Sequence, residues 1–182
     1  MNSIFKIFIK SIIDIIFDLY RRIILAVINL IPGRPGNIIT EVCKRLFAAL
    51  ILVRIGPNSE LSSNFYVYKL GNITVGKNCK IGSNFKIWNF NMFECGDDLL
   101  ASHNITVICG THDVSGQRKN ISGPVKIGKN VWIGANTLIV GPCIIGDNVI
   151  IGANSYATGN FKSNSIYAGS PAKFIKHIQS DK

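Results

Sequence analysis

An aliphatic or small residue returns at every sixth position late in the chain: Ile127, Ile133, Ile139, Ile145, Ile151 and Ala157. A helix repeats near 3.6 residues and a strand near 2, so neither explains this spacing. A fixed period of six, with glycine beside the aliphatic residue, predicts a mainly β chain wound as a parallel β-helix of hexapeptide repeats. The units IGKNVW, IGANTL, IVGPCI, IGDNVI and IGANSY follow one another without a gap from Ile127 to Tyr156. VGKNCK at Val75 and IGSNFK at Ile81 begin the series, and CGDDLL, ASHNIT and VICGTH form a looser set from Cys95 onward.

Each place in the unit has a physical task. The first residue points inward. So does the fifth, which is usually small (Cys79, Val131, Thr137, Cys143, Val149, Ser155), with Phe85 a bulky exception. The fourth is usually asparagine: Asn78, Asn84, Asn130, Asn136, Asn148 and Asn154. Asparagine tolerates positive φ and suits a corner between short strands. Glycine in the second place is expected to supply the same freedom. Three units should make one triangular coil, and stacked coils should bury a column of aliphatic side chains.

The first third is different in kind. Residues 1–31 read as an apolar helix on which Lys6, Lys10, Asp14, Asp18 and Arg22 recur every four residues as one polar stripe. Lys10 with Asp14, and Asp18 with Arg22, have the spacing of i,i+4 ion pairs. The longest uncharged run, Ile23 to Gly33, is too short to span a bilayer, which takes about 20 apolar residues. Two readings stay open. The helix lies in a membrane interface with its charged stripe outward, or it packs on its own β-helix or a neighbouring subunit. The Ile31-Pro32-Gly33-Arg34-Pro35-Gly36 element should break this helix, and a second helix is expected over 38–53. The resulting division is a helical extension at 1–69, a β-helix at 70–164 with an ejected loop at 111–124, and a C-terminal segment at 165–182 carrying a short helix.

The net charge of +10 is shared evenly. Nine Lys/Arg against four Asp/Glu in 1–69, and eleven against six in 70–182, each leave +5. Such a surface suits an anionic cofactor or an anionic lipid. No nucleic-acid module or stacking-aromatic pattern accompanies it, so nucleic acid is not expected as a partner. Five cysteines and no secretory signal predict a reducing, cytoplasmic compartment, at the inner face of the membrane if the helix binds lipid. Cys79, Cys95 and Cys143 fall on inward positions. No CxxC pair or Cys/His cluster suggests a metal.

The chemistry is expected where the repeat breaks. After Val107 the register fails, and the polar segment 111–124 intervenes before Ile127 restores it. His112 stands at the root of this loop, in an outward-facing place, and a histidine can transfer protons near neutral pH. Asp113 either orients His112 or caps the loop.

Four fragments in this order carry a family resemblance: Thr111-His112-Asp113 before the loop, Val131-Trp132-Ile133-Gly134-Ala135, Ile151-Gly152-Ala153-Asn154-Ser155, and Ala168-Gly169-Ser170-Pro171-Ala172-Lys173. Over residues 70–176 the chain resembles the hexapeptide-repeat acyltransferases of the maltose/galactoside and polysaccharide O-acetyltransferase branch. The resemblance implies a left-handed β-helix, a homotrimer, and acetyl-CoA bound between subunits without a metal. It implies His112 as the general base toward an acceptor hydroxyl. It places Trp132 beside the cofactor arm, Ala135 and Ala153 where the pantetheine approaches the backbone, and Thr158 and Lys173 at the nucleotide end. Relatives carry a lysine after the residue matching Thr158; here it is Gly159, so Lys162 substitutes or that contact is absent. Asn89 and Asn91 resemble an acceptor-binding asparagine.

The expected function is acetyl transfer to a sugar hydroxyl in capsule, O-antigen or exopolysaccharide assembly. Two alternatives stand beside it: N-acetyl transfer to an amino sugar or xenobiotic, and a non-catalytic β-helix scaffold docked on a membrane through residues 1–31.

Overall fold

The computed structural model describes residues 3–31 and 37–179, the first four of them by backbone alone. The element Pro32-Gly33-Arg34-Pro35-Gly36 lies outside the described residues. Two helices, α1 (Ser3–Leu30) and α2 (Ile38–Leu50), precede a three-faced coil of short parallel strands. Asn37 caps α2, its side-chain oxygen accepting from Ile39 N and Thr40 N. The first face stacks Val53–Ile55, Ile73–Val75, Phe93–Cys95 and Val125–Ile127, then 143–145. The second stacks Glu60–Leu61, Lys80–Ile81, Leu100–Ala101, Trp132–Ile133, Val149–Ile151 and Ser165–Ala168. The third stacks Tyr66–Val67, Lys86–Trp88, Thr106–Ile108 and 138–140. Leu138–Ile145 is one long strand that turns from the third face into the first.

The first and fifth places point inward as expected. Ile133, Ile139, Ile151, Cys79, Cys143 and Val149 are fully buried, and so is Phe85, which stacks near Phe65 and Phe93. The fourth-place asparagines adopt φ between 52° and 61°. On one corner their carboxamides form a ladder, each donating to the coil above: Asn64 to Asn84, Asn84 to Asn104, Asn104 to Asn136, Asn136 to Asn154.

The second-place glycines are there for a different reason from the one expected. Gly76, Gly82, Gly128, Gly134, Gly146 and Gly152 are absent from the positive-φ residues. What they provide is clearance: a Cβ on Gly82 would sit 2.6 Å from Ser102 O, and one on Gly134 2.8 Å from Ala153 Cα.

Coil length also departs from three units of six. Val53 pairs with Ile73, and Ile73 with Phe93, so the early coils take twenty residues. Val125 pairs with Cys143 eighteen residues on, and Cys143 with Gly159 sixteen on. The coil begins at Val53 rather than at 70. Ile55, Leu61 and Val67 already hold the six-residue spacing, with Asn58 and Asn64 in fourth place. The scarcity of glycine in this stretch hides it.

Both ends of the coil are closed. Leu25, Ile28, Ala48 and Ile51 join the core at the base. Arg21 donates to Val67 O, Lys44 to Leu61 O, and Asn29 pairs with the Phe65 backbone, so helix side chains satisfy first-coil polar groups. Of the stripe, Lys10, Asp14 and Asp18, together with Arg21, line a hollow against the β-helix with Tyr68 and Lys69, whereas the Arg22 side chain is 70% exposed. Of the two readings of α1, this fits packing on its own β-helix. Asp18 pairs with both Arg21 and Arg22, and the two guanidinium groups hold its carboxyl below the usual range. At the other end the expected helix is absent from the described residues. Lys173–His177 is a strand antiparallel to Ser165–Ala168, with Phe174 edge-on to Tyr167. The last coil leaves an unpaired sheet edge, and covering it satisfies backbone groups that a helix would leave open.

Gly134→Ala is expected to lower stability by about 1–3 kcal/mol through overpacking between coils. Gly116→Ala, whose Cβ would meet nothing within 4 Å, should leave it unchanged. Thermal unfolding followed by circular dichroism compares them; equal melting points would refute the clearance argument.

Candidate active site

The loop leaves the coil as a hairpin. Gly110–His112 pairs antiparallel with Asn120–Ser122, with His112 opposite Asn120. His112 Nδ1 lies 3.0 Å from Arg118 O. A carbonyl oxygen can only accept, so Nδ1 carries the hydrogen, and the neutral ring presents an unprotonated Nε2. Arg118 holds φ +48°, a left-handed conformation inside the hairpin turn. Asp113 Oδ1 accepts from Lys119 N at 3.0 Å, and Asp113 N donates to Lys119 O at 2.9 Å. Asp113 thus closes the loop, and the orienting partner of His112 is a backbone carbonyl. Of the two readings of Asp113, these bonds fit the loop cap.

His112 opens on a cleft of about 630 Å³. Its floor is the outer side of the third face, Ile108, Leu138 and Val140. Ile121 and Ser122 stand beside the histidine, and Phe90 and Lys69 also line the cleft. Phe90 packs on Tyr68, which stacks on Trp88, and the Lys69 ammonium lies 5.6 Å from the Phe90 ring centroid. Lys69 and Phe90 were not singled out in the sequence. Phe90 lies between Asn89 and Asn91, whereas nothing in the repeat pattern marks Lys69. A larger groove of about 810 Å³ between α2 and the first face holds Arg45 and Arg54 but no group suited to take a proton from an alcohol. Cys109, near the loop root, is buried, and burial pushes its thiol up to about 12, so it is neither exposed nor ionised.

Asn89 and Asn91 are both engaged within the protein. Asn89 is buried and accepts from Tyr68 N and Lys69 N while donating to Lys69 O and Gly71 O. Its carboxamide is fully engaged in holding the corner that makes the early coils two residues longer. Asn91 donates to Ser122 Oγ and accepts from Met92 N, bracing the cleft wall.

The remaining positions lie on two sides of one corner. Trp132 is 47 % exposed on the outer side of the second face, in register with Leu100 and Ile150. Ala135 and Ala153 stack just beyond it, with Asn154 N donating to Ala135 O at 2.8 Å. The Asn136–Asn154 corner then separates this group from the His112 cleft on the third face. Thr158 is exposed and follows Ala157, which pairs with Ile139 on that third face. Lys173 is exposed on the closing strand, opposite Ala168. Among the described residues no group of three or more His, Cys, Asp or Glu could hold a metal ion.

Residues 124–159 match the family of bacterial transferase hexapeptide (six repeats) proteins. Galactoside O-acetyltransferase of Escherichia coli (strain K12) is 34% identical over 139 residues, 74% of this chain and 66% of that protein. A protein of Dictyostelium discoideum named as an acetyltransferase is 42% identical over 87 residues, 46% of each chain. The chain thus spans 46% and 66% of the length of these curated relatives. A solved galactoside acetyltransferase in complex with coenzyme A superposes with a TM-score of 0.77 at 26% identity, covering 90% of this chain and 82% of that one. The fold matches the left-handed β-helix of such enzymes.

If Asp113 acts only on the loop, Asp113→Asn, which keeps the acceptor oxygen, changes kcat by less than about fivefold, the equivalent of one neutral hydrogen bond of about 1 kcal/mol. A loss of kcat of about a hundredfold or more in steady-state assays, toward the roughly 10⁴-fold loss expected when a carboxylate that orients a catalytic histidine becomes an amide, would place Asp113 in the catalytic group.

Proposed function

Because the chain belongs to the hexapeptide-repeat acetyltransferase family, we propose that it transfers an acetyl group from acetyl-CoA to a sugar hydroxyl in surface-polysaccharide assembly. The observation that carries this reading is His112 on a cleft with its Nδ1 hydrogen committed to Arg118 O. Nε2 is then the base. It removes the proton of the acceptor hydroxyl as that oxygen attacks the thioester carbonyl, and it returns the proton to the departing thiolate. No covalent enzyme intermediate is required, and Ser122 Oγ is already engaged by Asn91.

The fit to the acetyl donor rests on this chain's own groups. Trp132 offers an exposed indole beside an apolar row. Ala135 and Ala153 leave the corner low enough for a chain to lie along the backbone. Lys173 supplies an exposed cation for phosphate. Since the Asn136–Asn154 corner separates these residues from His112 within one chain, a complete site needs the cleft of one subunit facing the corner of another. This favours a homotrimer. The apolar floor, the Phe90 ring and Lys69 suit a pyranose, whose faces are apolar and whose rim is polar.

His112→Ala should lower kcat by about 10²–10⁴-fold while leaving CoA binding intact. Lys173→Ala should weaken CoA binding about tenfold, the loss of one charge-assisted contact. Steady-state assays with neutral sugars and calorimetric titration with CoA check both. An unimpaired His112→Ala enzyme would remove the base assignment, and the absence of CoA binding at millimolar ligand would remove the transferase reading.

A further inference from the structure

The first helix is inside out. At 3.6 residues per turn, Lys10, Asp14, Asp18 and Arg21 share the side of α1 that meets the β-helix, continued by Leu25 and Ile28. Arg21 is 4% exposed and its guanidinium is bound to Val67 O and Asp18. The opposite side carries Phe8, Ile12, Ile15, Ile16, Leu19 and Ile23, all exposed, with Ile15 at 66% and Ile16 at 59%. These six span about 100° of the helix circumference, and the arc widens to about 160° with Ile9 and Ile13, which are also exposed, at 100° per residue. It holds no charged side chain, and its single polar atom, the Tyr20 hydroxyl, donates to Leu50 O. On α2, Ile38, Ile39, Val42 and Leu46 are further exposed apolar residues.

We propose that this face of α1 docks on the surface of an anionic lipid bilayer, with the helix lying in the interface. Three observations favour lipid over a second copy of the chain. A helix–helix seam is a narrow stripe, whereas this arc spans nearly half the helix. Protein interfaces mix polar and apolar surface, roughly 56–65% apolar, whereas the exposed arc is apolar throughout. The chain carries +10, and Arg22, at the margin of the arc, has a side chain 70% exposed, which complements anionic headgroups. Among the described residues no helix is long and apolar enough to cross a membrane, so the geometry is that of a helix on the surface. The polar stripe, spent on the β-helix, fixes which side meets the lipid.

The test is flotation of the full chain with phosphatidylcholine vesicles, with and without phosphatidylglycerol. A variant carrying Ile12→Glu, Ile16→Glu and Ile23→Glu keeps every buried contact of α1. The parent should float with the anionic vesicles, less at high salt, and the variant should lose more than about tenfold of its bound fraction. CoA titration verifies that the variant is folded. A parent that stays with the soluble fraction, or a variant that floats like the parent, overturns the proposal. So does a variant of lower molar mass than the parent in lipid-free light scattering, which would assign the face to a second copy.

Discussion

The distance between stacked backbones governs this molecule. Parallel strands hydrogen-bond at about 4.8 Å, and every coil must meet the next at that spacing around its whole circumference. Along the faces the backbone ladder achieves this. At the corners the chain must turn, and there two residue types respond to the same limit. Glycine in the second place leaves room for the backbone above. Asparagine in the fourth takes the positive φ of the turn and carries a carboxamide able both to donate and to accept. The ladder from Asn64 to Asn154 runs unbroken because each amide donates upward and accepts from below. On the other corner Asp98 accepts from Asn78, but an ionised carboxylate has no proton to pass on, and the ladder resumes at Asn130.

A stack this regular tolerates interruption only where the departing chain returns to the same register. Phe93 pairs with Val125 across the loop as though nothing intervened. The hairpin is therefore free to project, and its turn can hold unusual geometry without disturbing the core. Arg118, at positive φ, aims its carbonyl at His112 Nδ1, and the outer side of the third face becomes the floor of a cleft. His112 belongs to the loop, while the surface it faces belongs to the repeat.

The two ends present a different problem, since a solenoid exposes its core wherever it stops. At the top, a strand folds back and covers the edge. At the base, two helices cover it, and they do so with charged as well as apolar side chains, because first-coil carbonyls at Leu61 and Val67 need donors. Turning Arg21 of α1 to that task leaves the opposite, apolar side of the helix exposed, and the exposed isoleucines follow from that choice.

Much of this was legible in the residues. The six-residue period, the inward first and fifth places, the asparagine corners and the ejected loop with His112 at its root all follow from local pattern, because each coil contacts only its neighbours and repeats the same demands. The sequence could not show that glycine serves clearance rather than φ, since both needs select the same residue. Nor could it show that Asn89 is consumed by a corner, that Asp113 braces the loop while Arg118 O holds the histidine, or that the last segment pairs as a strand. Each depends on backbone groups brought close by stacking, and backbone groups leave no mark in the side-chain pattern. The direction of the α1 stripe was likewise undecided by periodicity, which fixes that a helix has two faces. Only the unsatisfied carbonyls at the base of the coil decided which face turned inward.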